Sequence, residues 1–90
     1  MHTLHERDKL LARVRRIAGQ LRAAETALDK DQCTPVLHAL TAAKGAINSL
    51  IVEIIEDHVR FHILDPDERP GTAKAEATQE LLDVMRSYLK

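Results

Sequence analysis

The segment LLARVRRIAGQLRAAETAL, residues 10–28, decides the fold of this chain. Its apolar side chains recur every four or three residues, at Leu10, Val14, Ile17, Leu21, Ala24 and Leu28. Because an α-helix returns to the same side about every 3.6 residues, this spacing gathers them on one side of a helix. We predict a helix from about residue 6 to residue 29, whose coiled-coil-like stripe packs against a second helix.

A second helix is predicted from Thr34, the expected N-cap, to about residue 63. The polar residues 29–32 separate it from the first helix, and Pro35 suits the first helical position. Its apolar positions are Val36, Leu40, Ala43, Ile47, Leu50, Ile54 and Phe61, with a further edge at Leu37, Ile51 and Ile55. Because the connection is short, the two helices should form an antiparallel hairpin, with Gly19 level with Gly45 and their backbones close together.

The rest of the chain adds one short helix. A break at residues 65–71, which contains Pro and Gly, precedes the apolar positions of this third helix, Leu81, Leu82, Met85, Tyr88 and Leu89. No strand pattern appears, so the predicted fold is all-α, a three-helix protomer in a single domain, residues 1–90. Aromatic residues make up only 2% of the chain, so we expect self-association to supply burial that one copy lacks.

The sequence also bears on the cellular compartment. Uncharged runs such as residues 45–52 are far shorter than the roughly 20 residues that cross a bilayer, and residues 1–6 lack the apolar core of a signal peptide. Cys33 is the single cysteine, so no disulfide can form within one chain. We therefore expect a cytoplasmic protein with no membrane partner.

Histidine and cysteine side chains are the candidate metal ligands. His58 and His62 are spaced i, i+4, so both imidazoles project from one side of the second helix and can chelate one ion. Cys33 precedes His58 by 25 residues, which is roughly 37 Å along a helix that rises about 1.5 Å per residue. The thiol and the imidazoles therefore cannot bind the same ion within one chain.

Two copies of the second helix can bring these groups together if they pack antiparallel about Ala46 and Ile47. The thiol of one copy then meets the imidazole pair of the other. The candidate metal site consists of His2, Cys33, His58 and His62. Imidazole nitrogens with one thiolate suit nickel, cobalt or zinc better than magnesium or calcium, which prefer oxygen. We expect surface or packing roles for His5 and His38, and an inert thiol is the alternative for the cysteine.

The first helix is basic although the whole chain has a formal net charge of −1. Residues 7–22 carry six basic side chains and one acidic side chain, whereas residues 53–83 carry nine acidic and three basic ones. The candidate DNA-binding residues are Lys9, Arg13, Arg15, Arg16, Gln20 and Lys44, the last being level with Gln20 in the hairpin and extending its surface. Sequence-independent affinity for DNA grows with the number of phosphates neutralised. An ordinary solvated helix face has the same composition, so the pattern alone leaves both interpretations open.

The whole chain resembles the CsoR/RcnR family of bacterial repressors. The resemblance rests on RVRRIAGQ at residues 13–20, the cysteine before the second helix, AAKGAINSL at residues 42–50 and SYLK at residues 87–90. It implies a disc-shaped dimer of dimers, a homotetramer with ligand sites between subunits, that binds double-stranded operator DNA. It implies no enzymatic activity.

Within this family the residue types at four positions distinguish the effectors. The set His2, Cys33, His58 and His62 resembles the branch that senses nickel or cobalt. Copper and persulfide sensors carry a second cysteine, and formaldehyde sensors carry proline in place of His2 and an acid in place of His62. The resemblance implies a repressor of metal efflux or tolerance genes that metal releases from DNA. Two alternatives stay open: a formaldehyde-responsive repressor that reacts through Cys33, and a metal-binding helical oligomer with no DNA role.

Overall fold

The computed structural model of the chain describes residues 4–60 and 69–89. These residues form three helices and no strand: α1 is Leu4–Asp29, α2 is Cys33–His58 and α3 is Ala73–Tyr88. The prediction of an all-α, three-helix protomer is confirmed. The molecule measures 54 × 29 × 13 Å, and its smallest dimension is close to the diameter of a single helix, about 10–12 Å. It is therefore a slab in which α1 and α2 lie side by side.

The turn between α1 and α2 is a Schellman motif. The N–H of Gln32 donates to the carbonyl of Ala27 at 2.9 Å, and the N–H of Asp31 donates to the carbonyl of Leu28 at 3.0 Å. Asp31 has a φ of 55°, the left-handed conformation in which such a helix end reverses the chain. The result is the predicted antiparallel hairpin, in which Arg13 of α1 contacts Glu53 of α2.

The predicted start of the second helix is wrong by two residues. Gln32 occupies the N-cap position without a side-chain cap hydrogen bond, and α2 begins at Cys33, so Thr34 lies inside its first turn. The Schellman turn ends at Gln32 and leaves no room for a separate cap. Pro35 is tolerated because first-turn N–H groups have no intrahelical partner. The predicted end near residue 63 lies outside the described residues.

The core of the hairpin is narrower than the predicted stripes. Its buried cluster consists of Leu10 and Ile17 from α1 with Ala43 and Leu50 from α2. Alternate members of each predicted stripe lie outside this core, namely Val14, Leu21 and Leu28 on α1 and Leu40, Ile47 and Ile54 on α2. Each helix of the hairpin buries only the edge of its stripe that faces the other helix, so the other edge stays exposed.

The expected close approach of Gly19 and Gly45 does not occur in the hairpin. A Cβ atom added to Gly45 would have no neighbour within 4 Å, and one added to Gly19 would meet only a side-chain nitrogen of Arg22 at 3.8 Å. The small residue at the helix contact is instead Ala43, which is buried.

The third helix docks onto the end of α2. Leu82 is the most deeply buried side chain described, at 1% exposure, and Val52 of α2 is buried on the side away from α1. Thr72 caps α3 by accepting a hydrogen bond from the N–H of Ala75 at 3.2 Å. Arg86 of α3 forms an ion pair with Glu56 of α2, so both apolar and charged contacts hold the helix.

By length and composition alone, α2 could cross a membrane. Core helices of water-soluble bundles pass the same test, and Lys44 interrupts the apolar sequence of this one. We interpret α2 as a helix whose apolar surface serves packing against other helices.

Candidate metal and DNA-binding surfaces

The most distinctive surface of the hairpin is a line of exposed residues along α2, which we call the outer stripe. It runs Cys33, Leu37, Leu40, Lys44, Ile47, Ile51, Ile54 and His58, at alternating intervals of four and three residues. Its large apolar members are between 37% and 57% exposed. This spacing is that of a coiled-coil seam. The seam has a candidate metal ligand at each end, the thiol of Cys33 and the imidazole of His58.

A second exposed stripe, on α1, lies on the same side of the slab. Val14, Leu21 and Leu28 each follow a buried residue by four positions, as Leu40, Ile47 and Ile54 do on α2. The exposed residues are therefore rotated in the same sense from the buried ones in both helices. Because α1 and α2 are antiparallel, equal rotations point toward one side of the hairpin. We call this the apolar side.

The described residues do not assemble a metal site within one chain. Cys33 and His58 are both exposed, and they lie at opposite ends of α2, about 37 Å apart along the helix. Within residues 4–60 and 69–89 there is no group of three or more His, Cys, Asp or Glu side chains that could hold an ion. The other two predicted ligands, His2 and His62, lie outside the described residues, as does the side chain of His5. His38 is exposed on α2, off the outer stripe.

The thiol of Cys33 lies beside an open pocket of about 290 Å³. The pocket is lined by Leu28, Asp31, Gln32, Cys33, Val36 and Leu37. Cys33 is a free cysteine with an exposed side chain. Its sulfur is therefore accessible to an ion, to a partner chain or to a small electrophile.

The last turns of α2 anchor both neighbouring helices close to His58. Glu56, whose side chain is 21% exposed, pairs with Arg60 at 3.1 Å and with Arg86 of α3. Arg60 also donates to the side-chain oxygen of Gln79 of α3 at 3.0 Å. Glu53, one turn earlier, pairs with Arg13 of α1. Displacement of this part of α2 would therefore disturb its contacts with both α1 and α3.

The predicted DNA-binding residues separate into different environments. Lys9, Arg15 and Arg16 are exposed and form no ion pair with another described residue. Arg13 is partly buried, because one terminal nitrogen contacts Glu53 and the other donates to the hydroxyl of Ser49 at 3.1 Å. The contacts of Arg13 with Ser49 and Glu53 were not predicted. The only sequence signal for them is that both residues lie opposite Arg13 when α1 and α2 are aligned antiparallel.

The polar residues Gln20 and Lys44 complete the predicted set. Gln20 is half-buried, and its side-chain oxygen has no hydrogen-bond partner among the described atoms. Lys9, Arg13, Arg16 and Gln20 follow one another along α1 at intervals of four, three and four residues, and we call them the basic stripe. Lys44 belongs to the outer stripe of α2, on the apolar side. Contrary to the prediction, it does not extend the basic stripe within one chain. The level of a residue along a hairpin does not determine the side to which it points.

The chain is similar to known proteins over nearly its whole length. A family model described as "metal-sensitive transcriptional repressor" matches residues 6–87. The chain is 34% identical over 90 residues to the transcriptional repressor RcnR of Salmonella paratyphi B, covering 99% of this chain and 98% of that protein. It is 43% identical, over the same shares, to a Serratia marcescens protein described as an uncharacterized protein in the bioA 5′ region.

A solved structure is also similar. It is a histidine-for-glutamate variant of the formaldehyde-responsive regulator FrmR from Salmonella enterica serovar Typhimurium. The TM-score is 0.68 with 31% sequence identity, over 98% of this chain and 99% of the other.

Proposed function

Because this chain belongs to the CsoR/RcnR family of metal-sensitive transcriptional repressors, we propose that it is a cytoplasmic repressor that nickel or cobalt releases from double-stranded operator DNA. Members of this family are regulators and not enzymes, as the sequence predicted. The observation that carries the proposal is the outer stripe of α2, an exposed apolar seam with Cys33 at one end and His58 at the other.

The proposed metal site lies between two copies of the chain. When two outer stripes pack antiparallel, Cys33 of one copy lies near His58 of the other, and His62 and His2 add imidazole ligands. The donor set fits a nickel, cobalt or zinc ion, since imidazole and thiolate both bind these metals. A bound ion would supply a positive charge that links the two chains. The apolar side supports the pairing, because burial of its large side chains stabilises association.

The proposed DNA contacts come from the basic stripe together with Arg15. The cations among these residues neutralise phosphates, and several copies in a homotetramer would multiply the contacts. Glu53 and Glu56 connect the metal-binding end of α2 to α1 and α3 through Arg13 and Arg86. A shift of this end of α2 would therefore misalign the basic stripe relative to DNA, and the coupling would need only about 1–3 kcal/mol per linked event.

Cobalt spectroscopy on single variants tests the metal site. Titration of the wild type with Co(II) should produce a charge-transfer band from the Cys33 thiolate. Cys33→Ala should abolish this band, whereas His38→Ala, on the same helix but off the outer stripe, should retain it. An unchanged band in Cys33→Ala would contradict a site that contains the cysteine.

The shared character of the site has its own test. Cys33→Ala and His58→Ala should each lack complete sites. In an isologous interface the pair of Cys33 with the other copy's His58 occurs twice, so a heterodimer of the two variants keeps one intact site of two. Random exchange of subunits should therefore restore about a quarter of the wild-type band. No recovery after exchange would contradict a site between subunits.

A second candidate function is a response to formaldehyde through Cys33. It is favoured by the exposed thiol beside an open pocket and by the similarity to FrmR, a formaldehyde-responsive regulator. His58 at the other end of the seam favours metal. The intact mass of the protein after formaldehyde treatment separates the two, since a stable covalent cross-link at Cys33 would support the aldehyde response.

The remaining alternative is a metal-binding oligomer with no DNA role. Membership of a repressor family argues against it. The test is binding to DNA from upstream of the protein's own gene. Arg16→Ala should weaken this binding without loss of helical content, whereas unchanged affinity would argue against phosphate contact through the basic stripe.

A further inference from the structure

The cations of the basic stripe are not equivalent. Lys9 and Arg16 lie about one turn on either side of Arg13, and both are exposed without an ion pair to another residue of 4–60 or 69–89. Arg13 is paired across the hairpin. One of its terminal nitrogens contacts the carboxylate of Glu53, and the other donates to the Ser49 hydroxyl at 3.1 Å.

Glu53 therefore contacts the same guanidinium group that a DNA phosphate would bind. A guanidinium group binds carboxylate and phosphate oxygens through the same N–H groups. These two contacts occupy an N–H group on each terminal nitrogen of Arg13 and place a carboxylate beside its charge, so α2 competes with a phosphate for the same cation. The pair remains accessible to solvent, because the side chains of Arg13 and Glu53 are 29% and 50% exposed. Ion pairs with this exposure are weak and can exchange partners.

We propose that Glu53 competes with a DNA phosphate for Arg13 and thereby limits the number of phosphates that the basic stripe neutralises. This inference rests on the proposed function. With Arg13 held by α2, each copy offers Lys9 and Arg16 to DNA. When Arg13 turns outward it adds a further cation and leaves Glu53 and Ser49 unpaired. Because Glu53 lies on the part of α2 that leads to His58, movement there would change how firmly Arg13 is held.

Salt-dependent DNA binding tests the inference. The probe is a short fluorescent duplex from upstream of the protein's own gene, and its anisotropy gives the affinity over a range of KCl concentrations. Glu53→Gln should bind up to about fivefold more tightly per engaged copy. The plot of log affinity against log salt should steepen by about 0.9 for each additional phosphate that is neutralised. Ser49→Ala, which keeps the net charge, should change both quantities in the same direction by a smaller amount.

Two controls isolate the competition. Glu25→Gln removes the same charge from an exposed position on α1, and it should leave the salt slope unchanged. In the Arg13→Ala background, Glu53→Gln should leave the affinity unchanged, because the two substitutions then act on one interaction.

Three results would overturn the inference. One is weaker binding by Glu53→Gln at an unchanged salt slope, which indicates that the pair only holds the hairpin together. Another is tighter binding that persists without Arg13, which indicates a general charge effect. A wild-type protein with full helical content that does not bind the duplex contradicts the proposed function itself, and the inference with it.

Discussion

Asp31 has the least favourable backbone conformation among the described non-glycine residues. Its φ of 55° lies in the left-handed region, which costs an L-residue roughly 1–2 kcal/mol, although Asp and Asn tolerate it better than most. The Schellman hydrogen bonds around it require this conformation, because they close the end of α1 before α2 begins. One residue thus fixes where the hairpin reverses.

Replacement of this residue by glycine should stabilise the protein. We expect Asp31→Gly to raise the free energy of unfolding by up to about 1 kcal/mol, since glycine adopts positive φ without a Cβ clash. The matched control is Asp29→Gly, in the last turn of α1, which should lower it by no more than about 0.3 kcal/mol, because glycine lies about 1 and aspartate about 0.7 kcal/mol below alanine in helix propensity. Urea denaturation of both variants measures the difference. Destabilisation by Asp31→Gly would show that its side chain matters more than its backbone conformation.

At the scale of elements, α3 depends on a small contact with α2. Leu82 is buried at 1% exposure, whereas the adjacent Leu81 is 58% exposed. The pair of Glu56 with Arg86 joins the same two helices, but its exposure limits what it contributes. We infer that Leu82 is the main apolar anchor of α3.

Adjacent leucines give a direct test of this anchor. Leu82→Ala should lower the free energy of unfolding by about 2–5 kcal/mol, because it removes buried surface and leaves a cavity. Leu81→Ala should change it by no more than about 0.5 kcal/mol. Equal effects of the two substitutions in urea denaturation would contradict the observed docking of α3.

At the scale of the whole molecule, the slab leaves one side uncovered. A chain only 13 Å thick in its smallest dimension cannot bury both edges of two apolar stripes. The outer stripe of α2 and the exposed apolar residues of α1 share the apolar side. A second copy of the chain can bury this side, because it presents the same apolar surface. The proposed metal site depends on the same interface.

A charge placed on the apolar side should break the assembly. We expect the wild type to have the mass of a homotetramer in light scattering and Ile47→Glu to dissociate, because a carboxylate would be buried at the centre of the seam. Ile47→Glu should also lose the cobalt band while it retains Cys33 and His58. Thr26→Glu, exposed on α1 and outside both stripes, serves as the control and should keep the wild-type mass. A wild-type monomer would contradict the interface directly.

The helical periodicity of residues 10–28 and its counterpart on α2 determined the fold class without reference to tertiary structure. The spacing of apolar residues depends only on local helix geometry. The distance between Cys33 and His58 also needed only the sequence, since helix rise alone separates them. Membership of the family was predicted from the motifs and is confirmed, whereas the ligand set and the effector remain predictions.

Only the tertiary structure decided how each helix is rotated about its axis. Packing against α1 buried Ala43 and left Ile47 exposed, although both belong to one predicted stripe. The same rotation turned Arg13 toward Glu53 and carried Lys44 away from the basic stripe. Periodicity identifies the apolar arc of a helix, but the part of that arc that becomes core depends on which neighbour is present and how it lies.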